Sequence, residues 1–229
     1  MRRVAAGWSW GFDIDLGGWW GWGVKGQVVH SPAGDAVVLD DVGQTVLLDN
    51  DVVRVWDVAL RAGENHPWHL HHNPYVVLSI SGSEARMDWL DGSEPRFLNE
   101  YRGGSVYRPL SPVHRLTNIG ERFYQNRLVE LKDLGENLPE PVDIGVGDRS
   151  VEGERPGPAT ADGRLPVILH PHASVWTVAV EEGDARKLDL GDRPHVIAEL
   201  ERDGGVAFHP GGPVTLTGPG EWFVLELSY

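Results

Sequence analysis

His69 and His71 stand two residues apart in the run Gly63-Glu-Asn-His-Pro-Trp-His-Leu-His-His-Asn-Pro-Tyr-Val-Val-Leu-Ser-Ile-Ser-Gly82. Side chains at i and i+2 of a β-strand project from the same face. Two imidazoles on one strand face are half of a metal site. A second segment, from Gly103 to Asn118, places His114 between a proline-rich turn and a short strand-like run. If the two strands are neighbours, His69, His71 and His114 can surround one ion. Three neutral imidazoles suit Zn, Cu, Fe or Ni. A site with three protein ligands keeps positions open for water, substrate or oxygen, which is a catalytic rather than a structural pattern.

The elements that must position these side chains read as strands. Helix signals are almost absent. Val52 to Leu60, Tyr75 to Ile80 and Phe123 to Leu131 are short runs rich in β-branched and aromatic residues, separated by Gly, Pro, Asp and Asn clusters. Many short strands with regular turns predict an all-β sandwich or barrel, and 29 Gly and 16 Pro supply the turns. Residues 136–164 carry no periodic apolar face and read as a linker. The chain thus divides into a Trp- and Gly-rich arm over 1–35, a first β block over 36–135, the linker, and a second β block over 165–229.

An internal repeat links the two blocks. His170-Pro-His172 leads to Gly183 with the spacing of His69 to Gly82, an offset of 101, and Gly204 to Pro210 follows Gly103 to Pro109 at the same offset. On this alignment His114 falls on Thr215, so His170 and His172 read as a relic half-site lacking its third imidazole. The arm carries Trp8, Trp10, Trp19, Trp20 and Trp22. Such a cluster is costly to leave in water, and the expectation is that it adds strands or a cover to the second block.

Composition excludes several classes. A formal net charge of −14 argues against nucleic acid or an anionic membrane as partner. The absence of cysteine removes disulfides, thiolate ligands and a cysteine nucleophile, which fits a cytoplasmic protein. Asp13, Asp15 and several glycines interrupt the N-terminal region, so neither a signal peptide nor a membrane span is read there. The chain has no P-loop, no GxGxxG opening a helix and no G-x-S-x-G elbow.

These motifs resemble the cupin superfamily. Gly63, His69, His71 and Gly82 match its first motif, G(X)5HXH(X)3-4E(X)6G. Gly103, Pro109, His114 and Asn118 match its second, G(X)5PXG(X)2H(X)3N, with Ser111 in place of Gly. The match covers roughly residues 45–132, and the weaker second block makes the whole chain similar to a small bicupin. The resemblance implies two tandem jelly-roll barrels, the second degenerate, with a divalent metal inside the first on His69, His71 and His114. Fe(II) is the leading ion, with Zn, Mn and Ni as alternatives.

One departure matters. The family's Glu ligand is replaced by Tyr75, which shares the odd-numbered parity of His69 and His71. A phenol with a pKa near 10 is a poor ligand for a divalent ion at neutral pH, so Tyr75 is expected beside the substrate as a catalytic group. Three neutral histidines leave the charge of the ion uncompensated, which favours a small anionic chelating substrate. Cupins with such sites include dioxygenases, so the expected activity is a non-haem iron dioxygenase using O2. A redox-inactive isomerase or lyase is the alternative enzyme, and a non-catalytic ligand-binding module is the third reading. His66 and His72 are expected in solvent or supporting roles, Tyr107 and Arg115 in structural ones, and Trp68 and Trp89 as core or rim aromatics. A homodimer is expected from the pairing of barrel edges.

Overall fold

Nineteen strands and a single 3-10 turn make up the computed structural model, which describes residues 25–139 and 145–229. The first half contains β1 (Val28–His30), β2 (Ala36–Val38), β3 (Thr45–Asp49), β4 (Val53–Leu60), β5 (Asn65–His69), β6 (Tyr75–Ser81), β7 (Glu84–Trp89), β8 (Arg96–Asn99), β9 (Ser105–Arg108), β10 (His114–Asn118), β11 (Tyr124–Leu131) and β12 (Asp148–Arg149). The second contains β13 (Leu165–Leu169), β14 (Ala173–Val180), β15 (Ala185–Asp189), β16 (His195–Glu199), β17 (Val206–His209), β18 (Pro213–Thr217) and β19 (Gly220–Leu227). No α-helix occurs among the described residues, and none of them forms a helix long and apolar enough to cross a membrane.

A six-stranded sheet in the order β12-β9-β6-β11-β4-β3 and a four-stranded sheet in the order β5-β10-β7-β8 close over the first barrel's interior. The second barrel consists of a five-stranded sheet, β13-β14-β19-β16-β17, and the pair β15-β18. The two largest sheets bury their backs against each other. On β6, Tyr75 and Val77 point into the first barrel, while Val76, Leu78 and Ile80 point into the layer between barrels. There they join Val53, Val55 and Val129, and Val175, Val196, Phe223 and Leu225 from the second barrel. A strand buried on both faces loses polar alternation, which is why Tyr75 to Ile80 reads as an unbroken apolar run and why every residue of β11 is buried.

The end of this layer turns polar. Arg127, 2% exposed, extends from β11 to the Asp57 carboxylate and donates to the carbonyls of Arg202 at 2.7 Å and Glu201 at 3.2 Å. Gln125 Nε2 donates to the same Arg202 carbonyl at 3.0 Å. A turn of the second barrel is therefore fastened to the site-bearing sheet of the first.

Strand register corrects the repeat read from sequence. The pairs Thr45↔Asp57 and Leu48↔Val55 of β3–β4 recur as Leu165↔Thr177 and Ile168↔Val175 of β13–β14, each residue 120 positions further on, with the register shift at the same place. Tyr75↔Arg108 likewise becomes His195↔His209, so β6 keeps the 120 offset while β9 maps onto β17 at 101. The difference is the hairpin β7–β8, which lies between β6 and β9 and has no counterpart between β16 and β17. The counterparts of His69, His71, Tyr75 and His114 are thus Asp189, Gly191, His195 and Pro213, the last because Asp189↔Pro213 repeats His69↔His114. His170 and His172 correspond to Asn50 and Val52 ahead of β4 and are not a relic of the metal motif. Val178, Leu188, Ile197, Leu216, Trp222 and Val224 fill the second barrel's interior.

The five tryptophans of the arm lie outside the described residues. Its described end belongs to the first barrel: β1 pairs with β2, Lys25 binds Asp40 and Asp41 at 2.8 Å, and the Asp40 amide donates to the Trp68 carbonyl. The segment read as a linker contributes β12, which extends the six-stranded sheet alongside β9.

Candidate metal centre

His69 ends β5 and His114 begins β10, and the two are direct partners across the antiparallel pair. His71 follows in the turn leading to β6. The ligand nitrogens of His69, His71 and His114 all lie within 4.8 Å of one another, and all three residues are buried. Both flanking rings are set by the same local device. His69 Nδ1 lies 2.8 Å from the Pro67 carbonyl and His114 Nδ1 lies 2.8 Å from the Pro112 carbonyl, each two residues upstream. A carbonyl can only accept, so Nδ1 carries the proton and Nε2 is left with its lone pair free, the tautomer that binds a metal.

Electrostatics agree with that assignment. Burial drives the His69 and His71 imidazoles well below their ordinary range and lowers His114 to about 4, so the three are neutral at pH 7. His71 is wedged between Tyr75, whose ring stacks at 3.9 Å, and His114 at 5.2 Å. Glu130 of β11 stands behind it, with Oε1 4.0 Å from His71 Nδ1 and Oε2 accepting from Trp56 Nε1 at 2.8 Å. Among the described residues His71 Nδ1 makes no hydrogen bond, so its tautomer is not set by a backbone carbonyl as those of His69 and His114 are. The donor set, its protonation and its enclosure fit a divalent ion held by three imidazoles.

The triad opens on a cavity lined by the histidines, Tyr75, Glu100, Arg108, Tyr124 and Arg149 among others. Tyr75 projects into it as its parity predicts. The Tyr75 hydroxyl is 3.3 Å from Ser111 Oγ and lies against the Arg108 guanidinium. The two departures from the cupin motifs, Tyr for Glu and Ser for Gly, are therefore in contact. Burial raises the Tyr75 phenol, so it stays protonated and can donate a hydrogen bond.

Of the other singled-out residues, His66 is buried beside His69, with ring centroids 4.6 Å apart, and its Nε2 lies 2.8 Å from the Asp41 carbonyl. It lines the cavity without joining the triad. His72 is half-buried and does not line the cavity. Trp89 packs 5.5 Å from His114, whereas Arg115 lies over the Trp68 ring and pairs with Asp88. Tyr107 faces the layer between barrels.

Sequence reasoning missed Glu100, Arg108, Tyr124, Glu130 and Arg149. Glu130 had a usable signal, as the one acid in the strand-like run Phe123 to Leu131. Pro two residues ahead of His69 and again of His114 was a second. Arg149 offered none, because nothing in the local pattern marks β12 as part of a sheet.

Solved structures share this architecture. Vicilin from Corylus avellana superimposes with a TM-score of 0.55 at 7% identity, covering 77% of this chain and 75% of its own. AerE from Microcystis aeruginosa gives 0.54 at 8% identity, covering 78% and 88%. The fold is that of a two-barrel cupin. A cupin domain from Bordetella pertussis is 26% identical over 38% of this chain and 90% of its own, with a TM-score of 0.36. No family model and no curated protein matches the chain. For this chain, as for any shared fold, function has to be argued from the site.

Proposed function

We propose that the first barrel is a mononuclear metal-dependent enzyme, an Fe(II) dioxygenase acting on a small anionic chelating substrate. The observation that carries this reading is the buried histidine triad, with neutral rings and two Nδ1 protons tied to backbone carbonyls, facing a cavity lined by polar and apolar side chains. Bound there, the ion would act as a Lewis acid and bring substrate and O2 together. The chain's own residues do the rest. His69 and His114 are held in the ligating tautomer. Tyr75 braces the His71 ring and offers its hydroxyl to a substrate oxygen. Val77, Met87, Leu98 and Leu128 line the cavity with apolar surface that limits water.

A second reading has a specific support. Burial raises the Glu100 carboxyl, and Ser79 Oγ donates to it at 2.9 Å. A carboxyl poised nearer neutrality could move protons in an isomerase or lyase using Zn, Mn or Ni. Element analysis of the purified protein should find one ion per chain, lost in His114→Ala. Fe(II)-loaded protein should then consume O2 with hydroxy-acids or β-diketones. Full metal content in His114→Ala would refute the site. Turnover of those substrates without O2 uptake would refute the dioxygenase and leave the second reading.

A further inference from the structure

β12 carries the segment between the barrels onto the edge of the site-bearing sheet. Its register sets Asp148 opposite Tyr107 and Arg149 opposite Val106. Tyr107 belongs to the layer between barrels, and Val106 to the first barrel's interior. Cross-strand partners share a face, so Arg149 is turned inward, as is Arg108 two residues beyond Val106. Both line the histidine cavity. Arg149 Nε is buried without a hydrogen-bond partner, and neither arginine forms an ion pair among the described residues. Arg108 lies against the Tyr75 hydroxyl, which places the pair beside the metal triad.

The charge balance is incomplete. Arg96 on β8 stands close enough to Arg108 and Arg149 to be disfavoured by both. Glu100 is the acid lining this cavity; burial works against its charged form, while Ser79, Tyr124, Arg149 and Arg108 favour it. Two or three guanidiniums facing at most one carboxylate repel each other, and an anion between them relieves that repulsion. Guanidinium is the group whose planar fork matches a carboxylate.

We propose that Arg108 and Arg149 form a carboxylate-binding site in the wall of the cavity, so that the substrate is an organic acid gripped at both ends, by the triad and by the arginines. Placing the chelating end at the triad rests on the function proposed above. The arginine site itself needs no metal. The segment joining the barrels is then part of substrate recognition rather than a spacer.

Calorimetric titration of EDTA-treated, full-length protein with succinate, salicylate and their uncharged amides tests this. At least one carboxylate should bind and its amide should not. Arg149→Met and Arg108→Met should each weaken binding at least tenfold, with Arg149→Lys intermediate. Both Met variants should still take up one ion per chain, which shows that the barrel is folded. Failure of both carboxylates to bind overturns the proposal, as does equal affinity for the amides or unchanged affinity in Arg149→Met. Binding of inorganic phosphate but of neither carboxylate overturns the assignment to organic acids. A protein that binds a carboxylate through the arginines yet takes up no ion upholds this inference and sinks the metal-dependent function. The reverse result does the opposite.

Discussion

Acid should weaken the metal-free protein through His114. Folding lowers this imidazole from 6.5 to about 4 because burial disfavours its charged form. Between those values the unfolded chain holds more protons than the folded one, so the stability is fully present above pH 6.5 and drains away as pH falls toward 4. Between pH 7 and pH 5 the loss from this one group is about 2 kcal/mol. His69 and His71, lowered for the same reason, add to it with the same sign. Glu100 and Glu130 are shifted upward and act in the opposite direction, gaining stability on acidification. The measurement that separates these effects is urea unfolding of EDTA-treated wild type and His114→Gln at pH 7, 6 and 5. Both proteins keep the carboxylates and the other two histidines, so the difference between them reports His114 together with the repulsion it exerts on charged His69 and His71. Wild type should lose about 2 kcal/mol relative to the variant on going to pH 5. A difference that stays flat, or grows in favour of wild type at low pH, would refute the reasoning that burial holds this ring neutral.

Arg127→Met should destabilise the protein by about 3 kcal/mol in urea unfolding, since it strips the donor from the carbonyls of residues 201 and 202 and leaves Asp57 without its guanidinium. Hydrogen exchange in the 201–204 turn should quicken more than in β14; uniform protection would contradict the role assigned to this clamp. Gly82→Ala should lower the melting temperature at a cost of about 1–3 kcal/mol, because the added Cβ would run into the Glu100 carbonyl oxygen and the Tyr101 backbone. Unchanged melting would show that this close approach is not rigid.

The triad was legible because His69 and His71 are two residues apart and a Pro-x-His pattern precedes two of the three rings, although β5 ends at His69 and His71 reaches the site from the turn and not from the same strand face. The all-β class was legible from turn residues and strand-like runs. The pairing of the halves was not. A second His-x-His at 170 and 172 matched the first by coincidence, and the true register is broken by a hairpin present in only one barrel. A single offset cannot follow a repeat whose copies differ in strand number. The arginine pair was hidden for a related reason: a two-residue strand carries no periodicity, and its inward face is decided by β9, more than 40 residues earlier. Glu130 was overlooked because the charge balance was drawn only from the cupin motif positions.

The shared layer between the barrels means that the chemistry-bearing half is not a separable module. Val76, Leu78, Ile80 and Val129 back directly onto the strands that carry Tyr75 and line the cavity. Each contributes roughly 1.5–3 kcal/mol when covered, and in a fragment ending before residue 165 they would form a contiguous sticky face. The second barrel thus earns its place as a permanent mould for the first, and inheritance would have to keep the two in step. Substitutions at Phe223 or Leu225, which never approach an ion or a substrate, are free to vary only as far as the far side of that layer can repack.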